Sequence, residues 1–186
     1  YDPAGWNLGL TIGRVYREQD FGQFGTSSGL GGLNSDWLAG LSVDWQNGFV
    51  ASGRLVLDDD FDLTKGEMRL TLNRDKLALS TSAIWSVADP LENRPDPTRE
   101  FAFDARWRAN SALTAKLSGR YDFVRDQGTL AGFGVEYRND CVAVDFSLSR
   151  RFTSSTSVSP TTDFGLSVDL IGFGGGKTAG PSRRCY

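Results

Sequence analysis

The sequence predicts an all-β protein, an antiparallel transmembrane β-barrel segment of roughly ten strands. Three observations predict this fold: a repeated period-two alternation of apolar and polar residues, segments long enough to cross a bilayer, and connections that alternate between short and long. The stretch WLAGLSVDW at 37–45 shows the alternation most clearly, because every second residue from Trp37 to Trp45 is apolar. Such a strand presents one apolar and one polar face.

The alternation recurs along the whole chain. Predicted strands fall at 6–16, 37–45, 49–57, 66–73, 77–87, 101–109, 113–123, 130–138, 142–148 and 164–170. Most of them have roughly the 9–11 residues that a tilted strand needs to span a bilayer. Short turns are predicted at 46–48, 74–76, 109–112 and 138–140, and longer loops near 18–35, 58–65, 88–99, 125–129 and 152–162. Barrels of bacterial outer membranes have this asymmetry, with tight periplasmic turns and longer outer loops.

The large aromatic residues are predicted to form two girdles at the membrane interfaces. If odd strands run outward, one group lies near the periplasmic ends and consists of Trp6, Trp45, Trp107 and Tyr137. The other group lies near the outer ends and consists of Trp37, Trp85 and Tyr121, with Phe101 and Phe123 beside them. The alternative is the core of a soluble β-sandwich, but core residues would cluster at mid-strand.

Composition removes most enzyme chemistries. The chain has 186 residues, a net charge of −3, no His and two Cys. The absence of His excludes the Ser-His-Asp triad, and two Cys cannot form a four-cysteine metal site. The net charge argues against a nucleic-acid partner. Mean hydropathy is −0.31 and no apolar run is long enough for a transmembrane helix. We expect no enzyme activity, no cofactor and no metal.

The charged residues of the predicted strands lie on the polar face. A basic wall facing the lumen is predicted, because a charge facing lipid at mid-depth costs about 2–4 kcal/mol. Its members are Arg106, Arg108, Lys116, Arg120 and Arg138. The carboxylates Asp104, Asp122, Glu136 and Asp145 leave glycoside hydrolysis open, although a solvated channel wall is the favoured interpretation.

Two partial motifs fail. The acidic run 58–62 resembles the start of a calcium loop, but Leu63 and Arg69 stand where the motif needs Gly and Glu. Residues 176–178 resemble the end of a phosphate-binding loop, but Ile171 replaces the first Gly, and Pro181 follows where a helix should begin.

The two cysteines, Cys141 and Cys185, both fall at the predicted periplasmic end, where the compartment is oxidising. They are predicted to be disulfide-bonded, either to each other or each to a segment outside this chain; two free thiols are the alternative. The chain begins at Tyr1 with neither Met nor a signal peptide, so we expect a fragment or a processed product.

Two stretches carry a family resemblance. GFGVEYRNDCVAVDFSLSRRF at 132–152 and DFGLSVDLIGFGGG at 163–176 resemble the C-terminal end of the lipopolysaccharide-assembly family LptD, and the preceding repeats resemble its earlier strands more generally. The polar tail is similar to that of alphaproteobacterial members. The resemblance implies a bacterial outer-membrane barrel that inserts lipopolysaccharide into the outer leaflet through a lateral opening. It also implies three partners: a plug lipoprotein, LptE, a periplasmic bridge protein, LptA, and the lipid bilayer in which the barrel is embedded.

The resemblance also assigns residues. Residues 1–176 would be the C-terminal barrel strands and 177–186 a polar periplasmic tail. The last strand would form one side of the lateral gate, with Phe164, Leu166, Val168, Leu170 and Gly172. Cys141 would match the barrel cysteine that bonds the periplasmic N-terminal domain. Many relatives have two adjacent cysteines there, whereas this chain has Asp140-Cys141, so Cys185 would supply the second thiol. The alternative function is a stand-alone ten-stranded barrel, acting as a porin or a surface hydrolase.

Overall fold

A computed structural model describes residues 5–24, 28–90, 93–152 and 159–171. Within them the chain forms one antiparallel sheet whose strands lie side by side in chain order, so that β1 and β10 are its edges. The strands are β1 (Trp6–Gly13), β2 (Trp37–Trp45), β3 (Phe49–Leu57), β4 (Leu63–Asn73), β5 (Leu77–Ser86), β6 (Thr98–Arg108), β7 (Leu113–Asp122), β8 (Gln127–Arg138), β9 (Val142–Arg151) and β10 (Thr161–Leu170). The predicted all-β antiparallel architecture of ten strands is confirmed.

The register of the sheet puts alternate residues of every strand on one side, so that rows of paired residues run across all the strands. Trp107, for example, pairs with Leu77 of β5 and with Ala115 of β7, and that row continues through Val135 and Phe146. We call this side the apolar face. The opposite side, which carries the charged residues of the strands, is called the charged face. A slip of one residue would exchange the two faces of a strand, so the apolar pattern itself fixes this register.

The apolar face is not covered by any other part of the described chain. No hydrophobic residue of the described ranges is fully buried, and Leu10 and Phe164 are 68% and 67% exposed. A soluble sandwich would bury such a face against a second sheet. The sheet has instead the form expected of a barrel segment whose apolar face meets lipid. In the described ranges, no helix is long and apolar enough to cross a membrane.

The connections differ at the two ends of the sheet. The short-turn end has turns at 46–48, 74–76, 109–112 and 139–141, and the long-loop end has connections at 14–36, 58–62, 87–97, 123–126 and 152–160. At the short-turn end, Asn110 Oδ1 accepts hydrogen bonds from the N–H groups of Ala112 and Leu113, both at 2.8 Å. Asn139 Oδ1 accepts from Cys141 and Val142 in the same way, at 2.9 and 2.7 Å. Asx turns of this kind hold the tight connections.

The connection between β7 and β8 is shorter than the sequence predicts. We expected a loop at 125–129, but β8 already begins at Gln127. Asp122 Oδ1 accepts hydrogen bonds from the N–H groups of Val124 and Arg125, at 2.9 and 3.2 Å, and Asp126 adopts a left-handed backbone with φ of 52°. These contacts close a tight turn, so the strict alternation of short and long connections breaks at this one place.

Candidate functional site

The five residues of the predicted basic wall lie together on the charged face. Arg106 pairs with Lys116 in the ladder between β6 and β7, Arg120 pairs with Ala102, and Arg138 pairs with Ala143. Arg108 and Arg138 lie at the short-turn end, whereas Arg120 lies towards the long-loop end. Period-two alternation on long strands therefore suffices to place all five side chains on one surface.

Two of the five residues are neutralised by carboxylates. Lys116 Nζ lies 2.7 Å from Asp145 Oδ2 and 3.1 Å from Glu136 Oε2, and Arg106 Nη2 lies 3.6 Å from the same Glu136 oxygen. We call these four residues the β6–β9 ion cluster. Asp122, another of the four carboxylates considered from the sequence, pairs with Arg125 at 3.1 Å and does not belong to this cluster.

The cluster can form because the residues opposite Lys116 on β8 and β9 have small side chains or none. Lys116 is opposite Gly134, which is in turn opposite Ser147. A Cβ built on Gly134 would lie 3.6 Å from Lys116 Cβ and 3.2 Å from the Phe146 carbonyl oxygen. Without a side chain at that position, the lysine chain crosses β8 and reaches the carboxylate on β9. Glu136 and Asp145 are directly opposite each other, so the shared ammonium also separates two like charges.

A second ion cluster lies on β3 and β4 of the same face and was missed in the sequence analysis. Arg54 Nη2 lies 2.7 Å from Glu67 Oε2, and Arg69 Nη2 lies 3.8 Å from Glu67 Oε1. The parity of these residues within the predicted strands 49–57 and 66–73 was the signal that would have found them. Charges of both signs therefore extend over the charged face from β3 to β9.

Three predicted basic residues have no ion pair within the described part of the chain. They are Arg108, Arg120 and Arg138, which stand beside the β6–β9 ion cluster or in the next rows of the ladder. Arginine binds phosphate in a bidentate manner, so these three guanidinium groups are available to an anionic ligand. The charged face is thus a mixed surface with local cationic positions, rather than a uniformly basic wall.

The charged face also contains a broad concave region. A hollow of about 540 Å³ spreads across β4 to β9, and its polar lining includes Asp104, Arg106, Lys116, Ser118 and Ser149. Glycines contribute to its floor at Gly132 and Gly134. A polar, concave inner wall is what a water-filled barrel lumen requires.

The predicted girdle residues lie on the apolar face at the two ends of the sheet. At the short-turn end, Trp6 pairs with Trp45, whose ring centroid is 6.3 Å from that of Phe49, and Trp107 and Tyr137 lie near the ends of β6 and β8. At the long-loop end, Trp37 stacks on Phe61 at 6.3 Å, Tyr121 contacts Phe123 edge-on at 5.0 Å, and Trp85 pairs with Gly66. Their role as interface anchors stays a prediction.

The predicted gate strand is an edge of the sheet. β10 pairs with β9, and Phe164, Leu166, Val168 and Leu170 lie on the apolar face in the same rows as the apolar residues of β9. The ring centroids of Phe164 and Phe146 are 5.2 Å apart. Gly172, the last residue assigned to the gate, lies outside the described residues. The gating role of this strand stays a prediction.

The predicted disulfide is not decided by the described residues. Cys141 ends the turn 139–141, and its carbonyl oxygen accepts a hydrogen bond from Ile171 N–H at 2.7 Å, which joins the β8–β9 turn to the end of β10. By parity Cys141 continues the charged-face row of Ala143 and Asp145. Cys185 and the whole predicted tail 177–186 lie outside the described residues.

An open antiparallel sheet with an exposed apolar face, aromatic residues at both of its ends and a charged concave face defines the chain as a transmembrane β-barrel segment. A family model confirms and narrows this class: the model of LptD, LPS transport system D, matches residues 1–110. The chain belongs to the LptD family, which is a transport family of the outer membrane and not a family of enzymes. A comparison with curated proteins finds no match.

The match lies where the resemblance looked weakest. It covers β1 to β6, for which the sequence showed only a general likeness, whereas the stretches 132–152 and 163–176 lie beyond the matched range. The family assignment is confirmed, but the correspondence of Cys141 and of the last strand with particular family residues stays a prediction.

Proposed function

We propose that this chain forms part of the outer-membrane translocon that inserts lipopolysaccharide into the outer leaflet through a laterally opening β-barrel. A role in lipopolysaccharide transport follows from the family. The observation that carries the finer proposal is the mixed charge of the concave face, where three arginines without ion pairs among the described residues lie around a neutralised cluster. A substrate with anionic phosphates and polar sugars would be attracted to such a wall and could still leave it.

The ion clusters explain how the wall avoids trapping its substrate. An isolated row of cations would hold each phosphate through charge-assisted hydrogen bonds and slow its release. Glu136 and Asp145 already occupy Lys116, so that ammonium offers a phosphate little net attraction. Arg120, Arg108 and Arg138 then provide separate weak sites along the wall, and a passing molecule can exchange between them.

The two edges of the sheet support the lateral opening. Edge strands expose unpaired backbone N–H and C=O groups, which lipid cannot satisfy, so β1 and β10 each need a further strand beside them. The stand-alone ten-stranded barrel would pair β1 with β10. The ladders of the described strands run from β1–β2 to β9–β10 without that pair, which gives the porin or hydrolase alternative no support. We propose that β10 borders the opening.

The proposed partners follow from the same assignment. LptE would occupy the lumen lined by the charged face, and LptA would deliver lipopolysaccharide from the periplasmic side. Cys141 lies at the short-turn end, the periplasmic end in this orientation, where a disulfide to Cys185 or to a periplasmic domain would be accessible to the oxidising machinery.

The test is a charge reversal on the concave face. Arg120→Glu in the full-length protein should slow the appearance of lipopolysaccharide at the cell surface several-fold, because it replaces an anion-binding position by a repulsive one. Arg74→Glu, in the exposed turn 74–76 at the short-turn end, makes the same charge change away from the concave face and should leave the rate unchanged. Arg106→Glu is less suitable because it also breaks the contact with Glu136. Equal surface delivery by the Arg120 and Arg74 variants, at equal barrel levels, would refute the role of the basic positions.

A further inference from the structure

A groove crosses the apolar face at the long-loop end of β4 to β6. Its volume is about 460 Å³, and its lining includes Leu55, Gly66, Met68, Ala83 and Trp85. Gly66 is opposite Trp85 and Met68 is opposite Ala83, so the two small residues lie on adjacent strands and leave a depression between larger side chains. A Cβ built on Gly66 would lie 3.4 Å from Leu55 Cδ2, so even the smallest side chain would begin to fill the depression.

An arginine stands at the outer mouth of this groove. Arg99 lines the groove beside Phe123, and it pairs with Trp85 across the β5–β6 ladder, which puts it on the apolar face. Its side chain is exposed. Its carbonyl oxygen accepts a hydrogen bond from Phe123 N–H at 2.8 Å, which fixes the backbone at this point. A cation on the lipid-facing side is tolerated here only because the position is at the interface, where the cost falls to about 0–1 kcal/mol.

Arg99 differs from three other arginines at the same end of the sheet. Arg14 contacts Asp59 at 2.5 Å, Arg94 lies 3.8 Å from Asp89, and Arg125 lies 3.1 Å from Asp122. Within the described residues Arg99 has no such carboxylate. An exposed guanidinium at the membrane interface, with no carboxylate partner among the described residues, is complementary to an anion, and phosphate is the anion that matches its geometry best.

We propose that Arg99 and the groove beneath it form a binding site for a phosphorylated lipid of the outer leaflet, with the phosphate at the guanidinium and one acyl chain along Gly66 and Ala83. The site rests on the membrane orientation given above, but it does not depend on transport, because it lies on the outside of the sheet. It would hold a lipid against the barrel wall and fix the height of β4 to β6 in the membrane.

A second groove on the apolar face has no arginine at its mouth and serves as a comparison for the role of Arg99 in lipid binding. It has a volume of about 400 Å³ and is lined by Leu10, Ile12, Ala39, Leu41 and Leu70 among others. Its lining on the apolar face carries no charge, so it offers an acyl chain the same kind of contact without a partner for a headgroup. Lipid binding at that groove should not depend on phosphate.

The experiment measures lipid retention by the full-length protein in detergent, using native mass spectrometry. The probes are lipid A with its phosphates and the same lipid A after their enzymatic removal. Arg99→Gln should weaken retention of the phosphorylated lipid by about tenfold, as expected for the loss of a charge-assisted hydrogen bond. Ala83→Leu should weaken it by filling the groove, although the arginine remains.

The matched control is Arg150→Gln. Arg150 lies on the same face and at the same end of the sheet, opposite Ala131, but it stacks over Phe152 at 5.3 Å and does not line the groove. This variant should retain the phosphorylated lipid as the wild type does. Heat-modifiable mobility on gels verifies that each variant is folded.

Three results would overturn the site: equal retention by wild type and Arg99→Gln, equal loss in Arg99→Gln and Arg150→Gln, or equal retention of the lipid with and without phosphate. Displacement of the lipid by millimolar inorganic phosphate, with no effect of Ala83→Leu, would also overturn it, because the anion alone would then be the ligand. The surface-delivery assay with Arg120→Glu reports on transport separately, so the two proposals fail independently.

Discussion

Lys116 on β7 contacts Asp145 on β9 with an Nζ–Oδ2 distance of 2.7 Å, although β8 lies between the two strands. The contact spans a row that contains Gly134, and it brings together residues 29 positions apart in the chain. The charged face is therefore organised across three strands rather than pair by pair. A substitution at either residue should therefore alter the electrostatic interactions of the other residue and of Glu136, which contacts the same ammonium group.

Replacing the lysine should destabilise the barrel wall. Lys116→Met leaves Glu136 and Asp145 facing each other without a cation, and like charges directly opposite are unfavourable. Both partners are partly exposed, so the expected loss is about 0.5–1 kcal/mol. Urea unfolding in detergent micelles, followed by tryptophan fluorescence, measures it. The double variant Lys116→Met/Asp145→Asn should recover part of the loss, whereas additive effects of the two changes would contradict a shared cluster.

Gly48 should not tolerate a side chain. Its φ is +82°, and a Cβ at this position would collide with the carbonyl oxygen of Asn73 at the end of β4. Gly48→Ala should therefore cost about 1–3 kcal/mol. Gly13→Ala is the control, since a Cβ there has nothing within 4 Å. The midpoints of urea unfolding compare the two, and equal midpoints would show that the turn relaxes without cost.

Most of the fold could be predicted from the sequence because period-two alternation carries both the position of a strand and the face of each residue. The strand WLAGLSVDW is found at Trp37–Trp45 as predicted. The ends of strands are less well determined. β1 ends at Gly13 rather than at residue 16, because the residues that follow form hydrogen bonds within the connection 14–36. Arg17 N–H, for example, donates to Leu33 O at 2.7 Å.

The contacts within the candidate site could not be predicted in the same way. Parity places Lys116, Glu136 and Asp145 on one face, but their distances depend on the register of three strands and on the missing side chain at Gly134. The sequence therefore indicated the correct surface, but not which carboxylates contact which basic residues. The groove below Arg99 also needed the register, because Gly66 and Ala83 are far apart in the chain and look unremarkable in it.

The cysteines should show a redox-dependent mobility. If Cys141 is bonded to a segment outside this chain, the full-length protein should shift on a gel after reduction, because a long covalent loop opens, and Cys141→Ser should abolish the shift. Cys185→Ser distinguishes the two possible partners of Cys141. If Cys141 is bonded to a segment outside this chain, Cys185→Ser should leave that disulfide intact. If Cys141 is bonded to Cys185, the variant should make the Cys141 thiol accessible to alkylation. Alkylation of both thiols in the unreduced wild-type protein would contradict either disulfide.

The long-loop end should respond to pH through Asp36, which precedes β2. Burial raises the pKa of Asp36 above its ordinary value of 3.8, and the nearby carboxylates Asp58 and Asp59 raise it further, while Lys65 and Arg14 oppose them. The folded loop thus binds a proton more readily than the unfolded chain. The stabilisation from this proton is present below pH 3.8 and is lost as the pH rises through the raised pKa.

Asp36→Asn should therefore protect the loop at neutral pH, by less than about tenfold because the carboxyl group is partly solvated. Limited proteolysis of residues 14–36 in the micelle-bound protein, at pH 4 and pH 7, measures this protection. The difference between variant and wild type should be largest at pH 7 and shrink towards pH 4. Asp60→Asn, in the exposed turn 58–62, is the control, because it makes the same chemical change at a position that does not raise the pKa of Asp36. A difference between Asp36→Asn and wild type that grows as the pH falls would show that the Asp36 carboxylate stabilises the loop instead.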